Sequence, residues 1–213
     1  MNCLYIDTSS SYLYAAILKN SNELFEIKQN FNHDLSKYTI SEIDKLFSRA
    51  NINKTDINKI IVVSGPGSFT GIRIGMTFAK IYAWCTNTDI TTISSLEAMQ
   101  SSIHSDNILV PIIDARRGYV YASVYKKGTE ILKAQYIKLE DLVMYLNKLN
   151  EKYLFITNDQ KFDFDNKVNY NPDFLNIILT YKDRKAINPH LIEPNYLKLT
   201  EAEENLGSIK NDN

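Results

Sequence analysis

Ser64-Gly65-Pro66-Gly67-Ser68-Phe69-Thr70-Gly71-Ile72-Arg73-Ile74-Gly75-Met76 is the stretch on which the reading of this chain turns. The 213 residues include only seven glycines, and four of them lie between Gly65 and Gly75. Such clustering marks backbone that needs positive φ or close approach by another backbone. The apolar run Ile60-Ile61-Val62-Val63 ahead of it reads as a buried strand. Behind it, Ile72, Met76, Ala79, Ile81 and Ala83 fit a helix ending near Cys85, capped by Ser68 or Thr70.

Two nucleotide motifs fail on counting. Gly71 is followed by Ile72-Arg73, so a Walker loop lacks its lysine, and Thr70 stands where a dinucleotide fingerprint needs its third glycine. Gly71, Gly75, Ala79 and Ala83 recur every four residues and share one helix face. A stripe so small admits a close neighbour, either the protein's own sheet or another subunit.

At 44% hydrophobic residues, the chain can bury a proper core. A net charge of −1 does not mark it as an independent nucleic-acid binder. The longest apolar run, Ile108 to Ile113, is too short to span a membrane and contains Pro111. The N-terminus has no signal-peptide pattern, so a cytoplasmic protein is expected. Cys3 and Cys85 lack metal-ligand spacing, and His33, His104 and His190 are scattered. Of the five arginines, Arg73, Arg116 and Arg117 fall in motif-like stretches, where a planar fork suits bidentate contacts.

Taken in order, Asn2–Asp7, Tyr12–Lys19 and Leu24–Gln29 read as strands. Ser36–Ala50 reads as a helix with Ile40, Ile43, Leu46, Phe47 and Ala50 on one face. After the glycine turn and its helix come a strand at Ile90–Ile93 and a helix opened by a Ser94/Glu97 capping box. Strands at Ile108–Ile113 and Tyr119–Tyr125 flank Asp114-Ala115-Arg116-Arg117-Gly118. Ile131–Leu139, Glu140–Leu149, Tyr153–Thr157 and Pro172–Tyr181 continue as strand, helix, strand and helix. Two hairpins followed by crossovers imply a mixed sheet flanked by helices. The sequence shows no internal repeat.

These segments resemble the TsaB (YeaZ) family, a subunit of the bacterial machinery that makes threonylcarbamoyladenosine in tRNA. The resemblance is carried by Tyr5-Ile6-Asp7-Thr8-Ser9, Asn32-His33, the glycine block Gly65–Gly75, Ala79-Lys80, Ser94–Ala98, Asp114–Tyr121 and Pro194-Asn195-Tyr196-Leu197. It implies an α/β fold of the actin-like ATPase superfamily. That fold has two ribonuclease-H-like lobes with mixed sheets, the second reduced. The corresponding division here is 1–100, 101–200 and a polar tail at 201–213. The resemblance also implies a non-catalytic scaffold that pairs with the threonylcarbamoyl transferase TsaD, or with itself when alone. The ATPase TsaE joins that complex, tRNA is its substrate, and ATP and metal belong to the partner subunits. The expected partner face is Ile43, Phe47, Phe69, Gly71, Ile72, Gly75, Met76, Ala79 and Ala83.

Three readings of the chemistry stay open. Asp7, Thr8 and Ser9 look like a vestigial phosphate turn without its glycine, and no late Gly-Gly adenosine loop exists. We therefore assign no catalytic residue, no cofactor and no metal ligand. The alternatives are a small actin-like kinase gripping phosphate at Asp7–Ser11 and Ser68–Gly71, and a disfavoured peptidase. Arg73, Arg116 and Arg117 are candidates for anion or tRNA contact, against intramolecular pairing with Asp114 or Glu97.

Overall fold

β1 (Cys3–Asp7) is apolar on both faces, as a central strand must be, and every one of its residues is buried. It pairs antiparallel with β2 (Tyr12–Lys19), which pairs antiparallel with β3 (Glu23–Asn30). α1 (Leu35–Ala50) then carries the chain across to β4 (Lys59–Val63), parallel to β1. α2 (Phe69–Thr86) crosses again to β5 (Asp89–Ile93). The first sheet therefore runs β3-β2-β1-β4-β5. The computed structural model describes residues 1–32 and 34–198. The tail expected at 201–213 and His33 lie outside the described residues.

After α3 (Ser95–Ser101) the same plan recurs. β6 (Ile108–Asp114), β7 (Tyr119–Lys126) and β8 (Thr129–Lys138) form an antiparallel meander. α4 (Leu139–Leu149) leads to β9 (Tyr153–Ile156), parallel to β6, and β10 (Lys167–Val168) lies parallel to β9. Reading β8-β7-β6-β9-β10 against the first sheet gives the same strand order with the same directions. This is the two-lobed, ribonuclease-H-like actin plan. The repetition is invisible in the sequence because it is one of topology. The second copy is reduced: where α2 spans 18 residues, β9 and β10 are joined without a helix.

The last helix, α5 (Phe174–Tyr181), is capped by Asp173, so Pro172 falls just outside it. The two lobes exchange covers. α3 follows the first sheet but packs Leu96 and Met99 against Leu109, Tyr125 and Ile156 of the second. α5 follows the second sheet but packs Phe174, Ile177 and Ile178 against Tyr5, Leu18 and Ile61 of the first. A cut at residue 100 thus separates the sheets but not the helices that cover them.

Glycine scarcity shows at the helix ends. α1, α2 and α4 each end on an asparagine in the left-handed region, Asn51, Asn87 and Asn150. Asparagine is the side chain that best tolerates the role glycine usually fills.

Candidate functional site

The glycine turn is a junction. Ser68 N–H donates to the Ser9 carbonyl at 2.7 Å, and Asn195 N–H donates to the Ser64 carbonyl at 2.8 Å. Ser95 supplies its N–H to the Gly65 carbonyl and its hydroxyl to the Pro66 carbonyl. These bonds tie the glycine turn to the β1–β2 turn, the start of α3 and the C-terminal segment.

α2 is entered through the expected Ser68 cap, whose hydroxyl accepts from Gly71 N–H. Thr8 reaches into the helix itself. Its hydroxyl donates to the Gly71 carbonyl at 2.7 Å and accepts from Gly75 N–H at 3.1 Å. A Cβ on Gly71 would overlap the Thr8 carbonyl oxygen, and one on Gly75 would overlap the Thr8 hydroxyl. The small stripe therefore receives the protein's own first turn.

The residues of the expected partner face lie largely inside this packing. Ile43, Phe47, Gly71, Ile72, Gly75, Met76, Ala79 and Ala83 are all buried within the first lobe. Sheet, α1 and α2 close on one another there. Of the nine, only Phe69 is exposed. Ile40 and Ile81, grouped by spacing with residues that are buried, are 65% and 57% exposed, and Trp84 is 65% exposed. With half-buried Ile74 and Phe78, Ile40 and Ile81 rim an apolar groove of about 770 Å³ between α1 and α2. The sequence carried a signal for this second stripe: Ile74, Phe78, Ile81 and Cys85 recur at helical spacing beside the small one. A helix apolar on two faces is covered on two faces.

Between the lobes lies a cleft of about 360 Å³, lined by the ends of β1 and β6. Each strand closes on an aspartate that accepts from the N–H two residues on, both at 2.8 Å: Ser9 to Asp7 and Arg116 to Asp114. Their carboxyls are shifted in opposite directions. Burial pushes the Asp7 carboxyl above its ordinary value despite the hydrogen bonds from Ser9. At Asp114 burial also acts upward, but Lys161 and the Arg116 N–H outweigh it and hold the carboxyl below its ordinary value. Buried Tyr5 and the buried hydroxyl of half-buried Tyr170 lie beside Asp7, both hydroxyls pushed well above their ordinary range by burial.

In the turn expected to be a vestigial phosphate cradle, the Ser9 N–H is taken by Asp7 and the Thr8 hydroxyl by α2. The arginines part company. Arg73 lies 3.7 Å over the Phe69 ring and donates to the Tyr196 hydroxyl at 3.0 Å, holding the C-terminal segment against α2. Glu97 forms its ion pair with Arg184 and Asp114 its ion pair with Lys161, while Asp114 also accepts from the Arg116 backbone N–H. Arg116 and Arg117 are exposed in the β6–β7 turn. His104 faces Asp173, and His190 faces Trp84. Among the described residues no three His, Cys, Asp or Glu side chains cluster as metal ligands.

Comparison with known proteins places this geometry. Residues 31–202 match the protein-family model described as TsaD: tRNA N6-adenosine threonylcarbamoyltransferase. The "tRNA threonylcarbamoyladenosine biosynthesis protein TsaB" of Bacillus subtilis is 31% identical, covering 95% of this chain and 96% of its own. The chain belongs to the TsaB family, and its domain is TsaD-like. The TsaB of Buchnera aphidicola is 23% identical over 90% of this chain and 93% of its own. A Pseudomonas aeruginosa crystal structure, described as similar to peptidase YEAZ, superposes with a TM-score of 0.80. It is 16% identical and covers 92% of this chain and 99% of its own, which establishes the shared fold. No helix among the described residues is long and apolar enough to cross a membrane.

Proposed function

We propose that this TsaB-family chain is a non-catalytic subunit in the formation of threonylcarbamoyladenosine in tRNA. On this reading it pairs with a TsaD-type transferase, with which a TsaE-type ATPase assembles. The observation that carries the reading is the exposed apolar groove between α1 and α2, rimmed by Ile40, Phe69, Ile74, Phe78 and Ile81. Contiguous apolar surface on a helix pair marks a protein interface, and aromatic and aliphatic anchors in such grooves carry most of the binding energy. In the Thr8–Ser9 turn the Thr8 hydroxyl and the Ser9 N–H are already engaged within the chain, and each charge-assisted phosphate contact forgone costs roughly 1.5–3 kcal/mol. That argues against the kinase alternative. Self-pairing of the free chain would use the same groove.

The test is reconstitution of tRNA threonylcarbamoylation from purified TsaD, TsaE, the adenylate-forming synthase and tRNA, with wild-type chain, with Ile81→Glu, or without the chain. Modification is expected to need the wild type. Ile81→Glu is expected to melt as the wild type does, yet bind TsaD at least about 30-fold more weakly, the size of an interface hot spot. Full modification without the chain, or undiminished TsaD binding by Ile81→Glu, overturns the reading.

A further inference from the structure

Among the features this reading leaves unused, an aromatic ladder on the second lobe carries the most. β7 and β8 place Tyr121 directly opposite Tyr136 and Tyr119 opposite Lys138. The Tyr119 and Tyr136 rings are parallel within 5° with centroids 4.5 Å apart, and Tyr121 leans on Tyr136 at 5.8 Å. All three tyrosines are half-buried, on the sheet face away from α4. Their surroundings are basic. Lys138 Nζ sits 6.0 Å from the Tyr119 centroid, and Lys198 Nζ 5.4 Å from that of Tyr136. Arg116 and Arg117 stand exposed in the turn immediately before Tyr119. Among the described residues none of these four cations pairs with a carboxylate; the nearest along the chain, Asp114, is held by Lys161. Arg116 and Tyr121 also line a groove of about 800 Å³ that opens towards the first lobe.

We propose that Tyr119, Tyr121 and Tyr136, with Arg116, Arg117 and Lys198, form a stacking platform for unpaired bases of an RNA strand. Cross-strand tyrosines stack in sheets for packing alone, but there the outer ring faces meet apolar neighbours. Here they meet lysines, whose ammonium groups ride on flexible stems. A nucleobase can take the ring face while the lysine moves to the adjacent phosphate. An aromatic face flanked by cations is the pattern of sequence-tolerant single-strand binding, in which bases stack and phosphates pair. With a net charge of −1, the attraction is local to this patch, so binding by the free chain is expected to be weak and salt-sensitive.

The test uses the free full-length chain, so its failure leaves the transferase pairing untouched. A fluorescein-labelled RNA hairpin with an unpaired loop is titrated at low salt, beside a blunt RNA duplex with the same number of phosphates. A second hairpin carries 2-aminopurine in its loop. The hairpin is expected to bind more tightly than the duplex, with 2-aminopurine quenched on binding. Tyr136→Leu keeps a sheet-forming apolar side chain but removes the ring face. It is expected to weaken hairpin binding roughly five- to 150-fold, while Tyr136→Phe binds as the wild type does. Arg117→Ala is expected to weaken hairpin and duplex alike and to lower the salt slope by about 0.7–0.9. No hairpin binding, equal binding of hairpin and duplex without quenching, or a Tyr136→Leu variant that still melts as the wild type and binds undiminished overturns the proposal.

Discussion

Gly71 and Gly75 stand one helical turn apart against the same residue, Thr8, but against different atoms of it. At Gly71 an added Cβ meets backbone, the Thr8 carbonyl; at Gly75 it meets the Thr8 hydroxyl, with the Thr8 Cβ at an ordinary 3.5 Å beyond. Gly75→Ala is therefore expected to cost about 1–3 kcal/mol by overpacking and to become tolerable in a Thr8→Ala background. Gly71→Ala is expected to stay destabilising in that background. Urea denaturation of the two double-mutant cycles checks this; no rescue at Gly75 would show that the Thr8 hydroxyl does not set the limit there, and equal rescue at Gly71 that the backbone carbonyl does not. Asp7 supplies a second residue-scale test. Its pKa is raised in the fold from an ordinary 3.8, so the folded state holds the proton more tightly than the unfolded chain. The contribution is fully present below the unfolded pKa and is lost as pH rises through the folded value. Asp7→Asn keeps an oxygen for the Ser9 N–H and cannot ionise. Relative to it, wild-type stability is expected to fall as pH rises out of the acid range; parallel stability–pH curves would contradict the burial effect.

α2 shows at the scale of an element what the sequence disclosed and what it did not. Its start, end, cap and small stripe were all legible, because Ser68, the four-residue glycine and alanine spacing and the apolar period are local facts. So was the Ser94/Glu97 box, in which both reciprocal bonds form, at 3.0 and 2.7 Å. The direction in which the stripe points was not legible. Small residues at helical spacing fit a neighbouring subunit and an intruding Thr8 equally well, and only the tertiary fold brings Thr8 to the helix from 63 residues away. The exposed groove was hidden for a related reason: spacing alone does not tell an apolar side chain that is buried from one that is exposed, and Ile40 and Ile81 share the pattern of their buried neighbours. β10 has two residues, too few for any alternation to register. In the cleft, each Asp turn was visible in sequence. That the two are equivalent ends of one repeated topology became visible only once β1 and β6 were aligned as strands.

At the scale of the whole molecule, the exchange of α3 and α5 decides how the chain unfolds. Phe174, Ile177 and Ile178 are at most 1% exposed, and the surface they cover belongs to β1, β2 and β4. Removing three such side chains from the first sheet forfeits roughly 5–9 kcal/mol of burial, an upper estimate because unfolded chains already bury some apolar surface. The whole stability of a domain is of order 5–15 kcal/mol. The first lobe without α5 would also leave Tyr5, Leu18 and Ile61 facing water. Lys59 would lose the Arg184 carbonyl that accepts from its ammonium at 2.7 Å, and Glu97 would lose its Arg184 partner. A fragment of residues 1–106, which keeps all of the first sheet and α1 to α3, is therefore expected not to fold on its own. Mixing it with residues 107–213 is expected to restore a single cooperative melt. Near-ultraviolet circular dichroism and thermal melting of the fragment alone give the answer directly. A cooperative transition in the isolated fragment would mean that the first sheet holds without its borrowed helix and that the lobes are independent folding units. Its absence, with recovery on mixing, would mean that the α1–α2 surface forms only when both halves of the chain are in place.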